Sequence, residues 1–234
     1  MRIKKISIIV PAYNEELTIT KSLKRIISTN FGGISKEIIV INDGSVDKTK
    51  IKLNEFRKRR GFIIISKIKN QGKGAAIRDA LKKVSGDIVI IQDADLEYNP
   101  KEIKKLLQPV KDGLADVVYG SRFMGSGPHR VLFFWHMIGN KFLTLTSNTI
   151  TNLNLTDMET CYKLFTREIA KKIRLKENRF GFEPEFTVKI ANMHARVYEV
   201  GISYSGRSYT EGKKIGWRDG IRALWCLIKY KIVD

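Results

Sequence analysis

The sequence predicts an α/β protein built on a doubly wound, mainly parallel β-sheet. Apolar runs rich in β-branched residues alternate with segments of helical periodicity up to about residue 120. This alternation is typical of a parallel sheet covered by helices on both faces. The runs are apolar at nearly every position, as expected for strands that are buried on both sides. A length of 234 residues is consistent with a single domain.

Five strands are predicted in the first half of the chain, at 6–10, 37–41, 61–65, 87–91 and 115–120. Apolar residues near helical spacing predict a helix over 15–28. Asp47 suits the cap of a second helix that runs to about Arg60, a third opens in 70–76 and continues through Val84, and Pro100 starts a fourth. Turn residues separate these segments, as in 32–33 and 42–45.

The second half of the chain has a different pattern. A glycine- and proline-rich loop at 124–130 precedes an apolar stretch at 131–150, in which Lys141 is the only full charge. Positions 131, 134, 135, 138, 142 and 145 fall on one face of the predicted helix. A strand over 160–165, a helix over 183–194 and a strand over 196–204 are predicted to follow.

The last predicted helix, over 215–232, carries an apolar stripe that includes Trp217, Ile221, Leu224, Trp225 and Ile228. Basic residues lie largely off this stripe. Tryptophan on an apolar stripe beside Lys and Arg suits a helix at a lipid interface. Packing of the same stripe against the protein core is the alternative.

The charge balance indicates an anionic partner. Lys and Arg number 43 against 24 Asp and Glu, which gives a formal net charge of +19 and a pI near 9.9. Such a surface favours nucleic acid, anionic lipid headgroups or phosphorylated substrates. A lysine-rich bias of the whole proteome is the alternative. A specific nucleic-acid-binding module is disfavoured because no recognition-helix, RNP-like or zinc-binding pattern occurs.

The two cysteines, Cys161 and Cys226, lack metal-ligand spacing, which favours a reduced, cytoplasmic setting. The apolar run before Pro11 is too short for a signal peptide. No window reaches the roughly eighteen uncharged apolar residues of a spanning helix. We therefore expect any contact with a membrane to be peripheral.

The acidic residues at 93–97 are the strongest local signal. Asp93 and Asp95 directly follow a predicted buried strand, where two carboxylates near an apolar layer are costly unless a cation neutralises them. Hard oxygen ligands suit Mg²⁺ or Mn²⁺, and the metal would in turn hold a diphosphate. A solvated acidic turn is the alternative.

Polar residues also follow the first two strands, at 11–15 and 42–45. The carboxyl ends of parallel strands share one edge of a sheet, so we expect these loops to converge with 93–97. Tyr13 suits stacking on a base. Glu15 and Asp43 suit accepting hydrogen bonds from a base or a ribose.

Five motifs in the first half belong together: PAYNE (11–15), INDGS (41–45), NQGKGAA (70–76), DADLE (93–97) and GSR (120–122). Together they resemble those of inverting glycosyltransferases of the dolichol-phosphate mannose/glucose synthase type, a group within family 2 that has a GT-A nucleotide-sugar-binding fold. DMETCYKLF (157–165), GFEPE (181–185) and R-x-Y-x-E-G-K (207–213) extend the resemblance to nearly the whole chain. It implies one catalytic domain, with a nucleotide-sugar-binding half (1–122) and an acceptor and membrane-interface half (123–234).

The resemblance also implies roles for individual residues. Those that would hold the nucleoside are Pro11, Tyr13, Glu15, Ile41 and Asp43. The residues that would meet the diphosphate and a Mg²⁺ or Mn²⁺ ion are Asp93, Ala94 and Asp95. Glu97 would be a further metal ligand, although mannose synthases often have Gln at this position. Arg207 and Lys213 would close over the diphosphate, and Lys73 and Arg78 are secondary candidates.

Arg122 and Lys163 are the residues that we expect at the acceptor. By the same resemblance, Arg122 would lie between the donor and acceptor phosphates and, with Asp95, would be catalytic. Mannose synthases of this type tend to have Gly-Phe-Arg where this chain has Cys-Tyr-Lys at 161–163. A lysine at position 163 is more like the glucosyl branch, which favours UDP-glucose slightly over GDP-mannose as the donor.

The expected function is transfer of a hexose from a nucleotide sugar to a polyprenyl or dolichyl phosphate, giving a β-linked lipid phosphosugar. A phosphate is already ionised at neutral pH and needs no general base. A sugar or polysaccharide acceptor is the alternative, and its base would be Glu183, Glu185 or Asp157. We expect peripheral attachment at the cytoplasmic face of a membrane, alone or with a membrane-embedded partner protein.

Overall fold

The computed structural model describes residues 2–125, 130–131, 133–207 and 217–233, with the side chains of residues 217 and 218 excepted. The strands are β1 (Lys5–Ala12), β2 (Ser35–Asn42), β3 (Phe62–Ser66), β4 (Ile88–Ile91), β5 (Val117–Ser121), β6 (Lys163–Thr166) and β7 (Val197–Gly201). The helices are α1 (Ile19–Ser28), α2 (Thr49–Asn54), α3 (Lys73–Leu81), α4 (Ile103–Lys111, after a 3₁₀ turn at Pro100–Glu102), α5 (Phe134–Thr151), α6 (Arg167–Lys172), α7 (Phe182–Asn192) and α8 (Trp217–Ile232).

The seven strands form one sheet in the order β3-β2-β1-β4-β6-β5-β7. All neighbouring pairs are parallel except those of β6, which runs antiparallel to both β4 and β5. The predicted α/β fold with a mainly parallel sheet is therefore confirmed. The reversed direction of β6 was not predicted, because a strand buried along its whole length has the same apolar pattern in either direction.

Two predicted helices are shorter in the structure. The helix expected from residue 15 begins at Ile19, because residues 13–18 form a loop in which the Glu15 carbonyl accepts from the backbone N–H groups of Thr18 and Ile19. The helix expected to reach residue 60 ends at Asn54. The four consecutive cations at 57–60 explain its end, since like charges three or four residues apart weaken a helix.

The strands β1, β2 and β4 end at the same edge of the sheet, as their parallel pairing requires. Their apolar side chains are almost completely removed from solvent. The polar residues that follow each strand are thus attached to the most rigid part of the fold. This edge of the sheet positions the candidate site.

Helices α5 and α8 pack against each other and against α7. The inner face of α8 buries Ala223, Cys226, Leu227 and Tyr230. The outward side chains of the two helices are apolar and exposed: Phe134, Trp135, Ile138, Phe142 and Leu145 on α5, and Ile221, Trp225, Ile228 and Ile232 on α8. We call this set the outer apolar face. Within the ranges described, no helix is both long and apolar enough to cross a membrane.

Candidate active site

A cleft of about 380 Å³ opens at the carboxyl edge of β1, β2 and β4. Its walls also include the first turn of α3 and residues near 179 and 207. The sequence-predicted residues that line it are Pro11, Tyr13, Glu15, Asp43, Lys73, Asp93, Ala94, Asp95, Glu97, Arg122 and Arg207. The structure therefore brings the polar loops of the first half together with Arg207 from near the end of the chain.

Arg207 lies at the centre of three carboxylates. Its Nη2 is 2.9 Å from Asp95, its Nε is 3.3 Å from Glu97 Oε1, and its Nη1 is 3.5 Å from Glu15. Its backbone N–H also donates to Glu97 at 2.9 Å, and the Tyr204 hydroxyl donates to the other Glu97 oxygen at 2.8 Å. The acidic stretch thus surrounds a cation that the chain itself supplies.

Asp95 carries the strongest electrostatic signal in the cleft. Burial and the neighbouring charges of Asp93 and Glu97 raise the pKa of Asp95 to about 8, against the opposing effect of Arg207. The turn that holds it is tight: Leu96 has a positive φ of 69°, and the Glu97 N–H donates to Asp95 at 3.1 Å. A carboxyl group held in this way binds a cation in preference to remaining an isolated anion.

These donors fit a divalent ion that is shared with a diphosphate. In the described part of the chain, no group of three or more His, Cys, Asp and Glu side chains is arranged to hold a metal ion. Mg²⁺ sites often use only one or two carboxylates together with substrate phosphates. The oxygen-only set and the raised pKa of Asp95 match that kind of site.

Lys73 holds Asp93 from the opposite wall. Its ammonium group is 3.3 Å from Asp93 and 3.0 Å from Glu183, at the start of α7. Burial lowers the pKa of a lysine, but the Asp93 carboxylate and other neighbouring groups outweigh this and hold the pKa of Lys73 well above its ordinary value. Lys73 is therefore a fixed positive charge beside the acidic stretch.

Asp43 fixes the loop that enters α3. One of its oxygens accepts from the backbone N–H groups of Gln71 and Gly72, at 3.0 and 2.6 Å, and the other is 3.1 Å from the Lys67 ammonium. Gly72 has a φ of 102°, and an added Cβ there would overlap the carbonyl of Asn178. The glycine-rich motif at 70–76 therefore serves close backbone packing at the cleft wall.

Arg122 forms a bidentate ion pair with Asp157. Its Nε and Nη2 each lie 2.7 Å from one oxygen of the carboxylate, and its backbone N–H donates to the same group at 3.0 Å. The guanidinium stacks over the Tyr204 ring, 5.1 Å from its centroid. This fork geometry holds the Arg122 side chain in one orientation at the cleft.

Comparison with known proteins identifies the family. Glycosyl transferase family 2 matches residues 7–174, a span that covers most of β1, all of β2 to β6 and most of the cleft residues. The chain belongs to this family. The protein is a glycosyltransferase with a GT-A-like fold, as the resemblance implied.

Several relatives cover almost the whole chain. An uncharacterized protein of Methanocaldococcus jannaschii is 31% identical, with 97% of this chain and 92% of that protein aligned. Dolichol-phosphate mannosyltransferase of Pyrococcus furiosus is 28% identical, and this chain spans 64% of its length. Dolichyl-phosphate beta-glucosyltransferase ALG5A of Trichomonas vaginalis is 30% identical, over 97% of this chain and 73% of its own length.

A solved structure has the same fold. Glucosyl-3-phosphoglycerate synthase of Mycobacterium tuberculosis, in complex with Mn²⁺, uridine diphosphate and phosphoglyceric acid, superposes with a TM-score of 0.76 at 20% identity. The superposition covers 99% of this chain and 80% of the other. At this identity the likeness concerns the fold alone.

Three described residues among those predicted for this glycosyltransferase do not line the cleft: Ile41, Lys163 and the secondary candidate Arg78. Ile41 is fully buried within β2. Lys163 is also fully buried: its ammonium donates to the backbone carbonyls of Met158 and Thr160, and burial lowers its pKa to about 8. Because Lys163 is enclosed by backbone, we leave it out of the acceptor site. Lys213 lies outside the described residues. The secondary candidate Arg78 binds the backbone near 176–177 instead of lining the cleft.

The carboxylates considered as bases for a sugar acceptor are engaged elsewhere in this glycosyltransferase. Glu185 is fully buried and accepts from the backbone N–H groups of Lys176 and Glu177. Asp157 is occupied by Arg122. Glu183 pairs with Lys73 through one oxygen, while its second oxygen is buried with no hydrogen-bond partner among the described residues.

Sequence reasoning missed four side chains of the cleft: Tyr98, Arg179, Phe180 and Tyr204. Tyr98 and Tyr204 pack against each other with their rings tilted by 58° and their centroids 5.3 Å apart, and the Tyr204 ring also lies against the Arg122 guanidinium. Arg179 and Phe180 directly precede the GFEPE motif, and this position beside a family motif was the available signal. No ion pair is seen for the Arg179 guanidinium among the residues described, whereas Arg122, Arg207 and Lys73 each have a carboxylate.

Proposed function

We propose that this glycosyltransferase transfers a hexose from a nucleotide sugar to a polyprenyl or dolichyl phosphate, with inversion at the anomeric carbon. One observation carries the proposal: every carboxylate that lines the described cleft is close to a positively charged side chain. A hydroxyl acceptor needs a free general base. A phosphate acceptor, whose second pKa is about 6, does not.

The donor would bind along the edge of β1, β2 and β4. Tyr13 would stack on the base, and Glu15 and Asp43 would accept hydrogen bonds from the nucleoside. Asp93, Asp95 and Glu97 would hold a Mg²⁺ or Mn²⁺ ion, which would supply charge stabilisation for the departing diphosphate. Support for a metal comes from the M. tuberculosis neighbour, whose complex contains Mn²⁺ and uridine diphosphate.

The protein's own cations would stabilise and align the reacting phosphates. Arg207 would turn from its carboxylates towards the donor diphosphate, joined by Lys213. Arg122, oriented by Asp157, would reduce the repulsion between the attacking phosphate and the donor. The attacking phosphate oxygen would form the new bond to the anomeric carbon as the bond to the nucleoside diphosphate breaks, so an α-linked donor would give a β-linked product.

The outer apolar face of α5 and α8 suits the membrane that carries such an acceptor. Trp135 and Trp225 are 79% and 55% exposed, and Lys141, Arg222 and Lys231 lie on the same two helices. Aromatic and aliphatic side chains beside cations are typical of helices that lie in a lipid interface. We place the protein peripherally on the cytoplasmic face, where anionic lipids attract Lys and Arg.

UDP-glucose and GDP-mannose are the candidate donors, since the curated relatives include both glucosyl- and mannosyltransferases. We put UDP-glucose first because a lysine at position 163 is more like the glucosyl branch of the family. A thermal-shift panel of UDP- and GDP-sugars with Mn²⁺ tests this order, because a ligand that binds only the folded state raises the melting temperature. We expect UDP-glucose to give the largest shift. A larger shift with GDP-mannose would reverse the order, and no shift with any nucleotide sugar would contradict the proposed donor class.

A further inference from the structure

Residues 176–180, which we call the cleft-wall segment, connect the end of the α6 region to α7. Arg179 and Phe180 line the cleft, yet the segment forms neither helix nor strand and ends in the turn that leads into α7. The conformation of the cleft-wall segment therefore depends on contacts with neighbouring elements. Two such sets of contacts are present, one with α3 and one with α8.

The contacts with α3 are made by backbone at close range. Asn178 accepts from the Ala75 N–H at 3.0 Å, and a Cβ added at Gly74 would overlap the Glu177 carbonyl. Arg78 donates to the Lys176 carbonyl at 3.0 Å. The first turn of α3 also carries Lys73, which pairs with Asp93. The segment and the donor side of the cleft thus share one wall.

The contacts with α8 converge on a single carboxylate. Glu177 is 6% exposed. Its carboxylate lies 2.7 Å from the Arg222 guanidinium and 3.3 Å from the Lys229 ammonium, and it accepts a hydrogen bond from the Tyr230 hydroxyl at 2.8 Å. All three donors belong to α8, which also bears the exposed Trp225 of the outer apolar face, three residues from Arg222 and four from Lys229. At this spacing the Glu177 contacts and the outer apolar face occupy neighbouring sides of one helix, so a partner that covers the apolar face lies beside the residues that hold the wall of the cleft.

We propose that Glu177 is a positioning residue that ties the donor cleft to α8, so that contact of α8 with a lipid surface tightens nucleotide binding. The proposal rests on the proposed function for its lipid surface. A lipid layer that buries the outer face of α8 restricts the helix, and Glu177 passes this restriction to Arg179 and Phe180. A nucleotide that binds afterwards has to restrict the cleft-wall segment less, so its binding costs less conformational entropy. The lipid contact on α8 and the nucleotide site in the cleft are then positively coupled.

The test measures UDP affinity in the presence of Mn²⁺, with and without vesicles of phosphatidylglycerol and phosphatidylcholine that contain no polyprenyl phosphate. For the unchanged protein we expect the Kd for UDP to fall about fivefold on vesicles, at the lower end of measured coupling between linked sites. By reciprocity, UDP should raise vesicle affinity by the same factor. For Glu177→Gln and Tyr230→Phe we expect vesicle binding to persist and the coupling to fall to about one.

Glu55→Gln is the matched control, because Glu55 is exposed near the end of α2; it should retain the full effect. Tyr230→Phe keeps the buried ring and covers the case in which Glu177→Gln does not fold. A contact that served only stability would lower the melting temperature of both variants without changing their vesicle dependence. Vesicle binding with unchanged or weaker UDP affinity overturns this inference alone. Absence of vesicle binding overturns it together with the proposed membrane contact.

Discussion

Asp95 shows at the scale of one residue why the cleft needs a cation. Its carboxyl group is largely buried and lies near Asp93 and Glu97, and these effects raise its pKa to about 8 although Arg207 opposes the shift. Arg207, at 2.9 Å, therefore supplies only part of the positive charge that the ionised carboxylate needs. In the proposed mechanism the same carboxylate would meet the metal and the diphosphate, while Arg207 would move to the phosphates.

Replacement of Asp95 by Asn tests this role. The variant keeps the shape of the side chain but loses its charge, so we expect hexose transfer to fall by roughly a hundredfold or more. The melting temperature should be unchanged or slightly higher, because the raised pKa of Asp95 means that burial and its acidic neighbours disfavour the charged form in the free protein. Transfer assays and calorimetry measure the two effects, with Glu55→Gln as a control that should change neither. Normal turnover by Asp95→Asn would rule out an essential role for this carboxylate.

Glu159 is a second carboxyl group with a perturbed pKa, and the proposed chemistry does not use it. Burial and the charge of Glu183 raise its pKa to about 8, although Lys163 and Arg122 oppose the shift. Its Oε1 is buried without a hydrogen-bond partner among the described residues. A native pKa above the unfolded value of about 4.3 means that the folded state holds a proton which the unfolded state releases.

The stability of the protein should therefore depend on pH through Glu159. The stabilising contribution is present below the unfolded pKa and is lost as the pH rises towards the native pKa of about 8. Glu159→Gln lacks this titration, so its free energy of unfolding relative to the unchanged protein should increase by about 3 kcal/mol between pH 6 and pH 9. Denaturant unfolding at both pH values measures it. A difference that stays constant with pH would show that Glu159 is ionised throughout.

At the scale of elements, apolar patterning predicted the first five strands because each is a short β-branched or apolar run flanked by turn residues, whether buried in the sheet or half-buried at its edge as β3 is. It predicted neither the direction of β6 nor α6, which begins after Thr166, whose side chain caps it by accepting from the Ile169 N–H. The site was predicted where a motif follows a strand, as for Asp43 and Asp93. It was missed where a side chain enters from a distant irregular segment, as for Arg179, since local sequence does not show which segments fold over an edge.

The outer apolar face gives a prediction for α5 and α8. Trp135 and Trp225 are exposed and apolar, so a charge at either position should weaken association with lipid while leaving the fold intact. We expect Trp135→Glu and Trp225→Glu each to lower the affinity for anionic vesicles about tenfold or more, and the double variant to lower it further. Flotation measures binding, and Leu17→Glu is the control because Leu17 is 87% exposed in the loop at 13–18, away from α5 and α8. Equal flotation of all variants would exclude this face as the lipid contact.

At the scale of the whole molecule, the charge of +19 and the paired carboxylates of the cleft have a common explanation. Both the donor and the acceptor of the proposed reaction carry phosphate groups, and the acceptor is held in a membrane whose surface is itself anionic. A positive protein attracts both substrates, while its internal cations keep the acidic residues of the cleft occupied until the donor arrives. A specific nucleic-acid-binding role has no comparable structural support. The described cationic side chains of the cleft line a pocket whose volume suits a small molecule.

The most direct measurement follows the labelled sugar. Purified protein is incubated with radiolabelled UDP-glucose or GDP-mannose, Mn²⁺ and either polyprenyl phosphate in vesicles, 3-phosphoglycerate or soluble sugars, and the label is partitioned between organic and aqueous phases. The proposed function predicts organic-phase label that requires polyprenyl phosphate and is lost in Asp95→Asn. Label that enters only water-soluble products, whichever donor is supplied, would contradict a lipid phosphate as the acceptor.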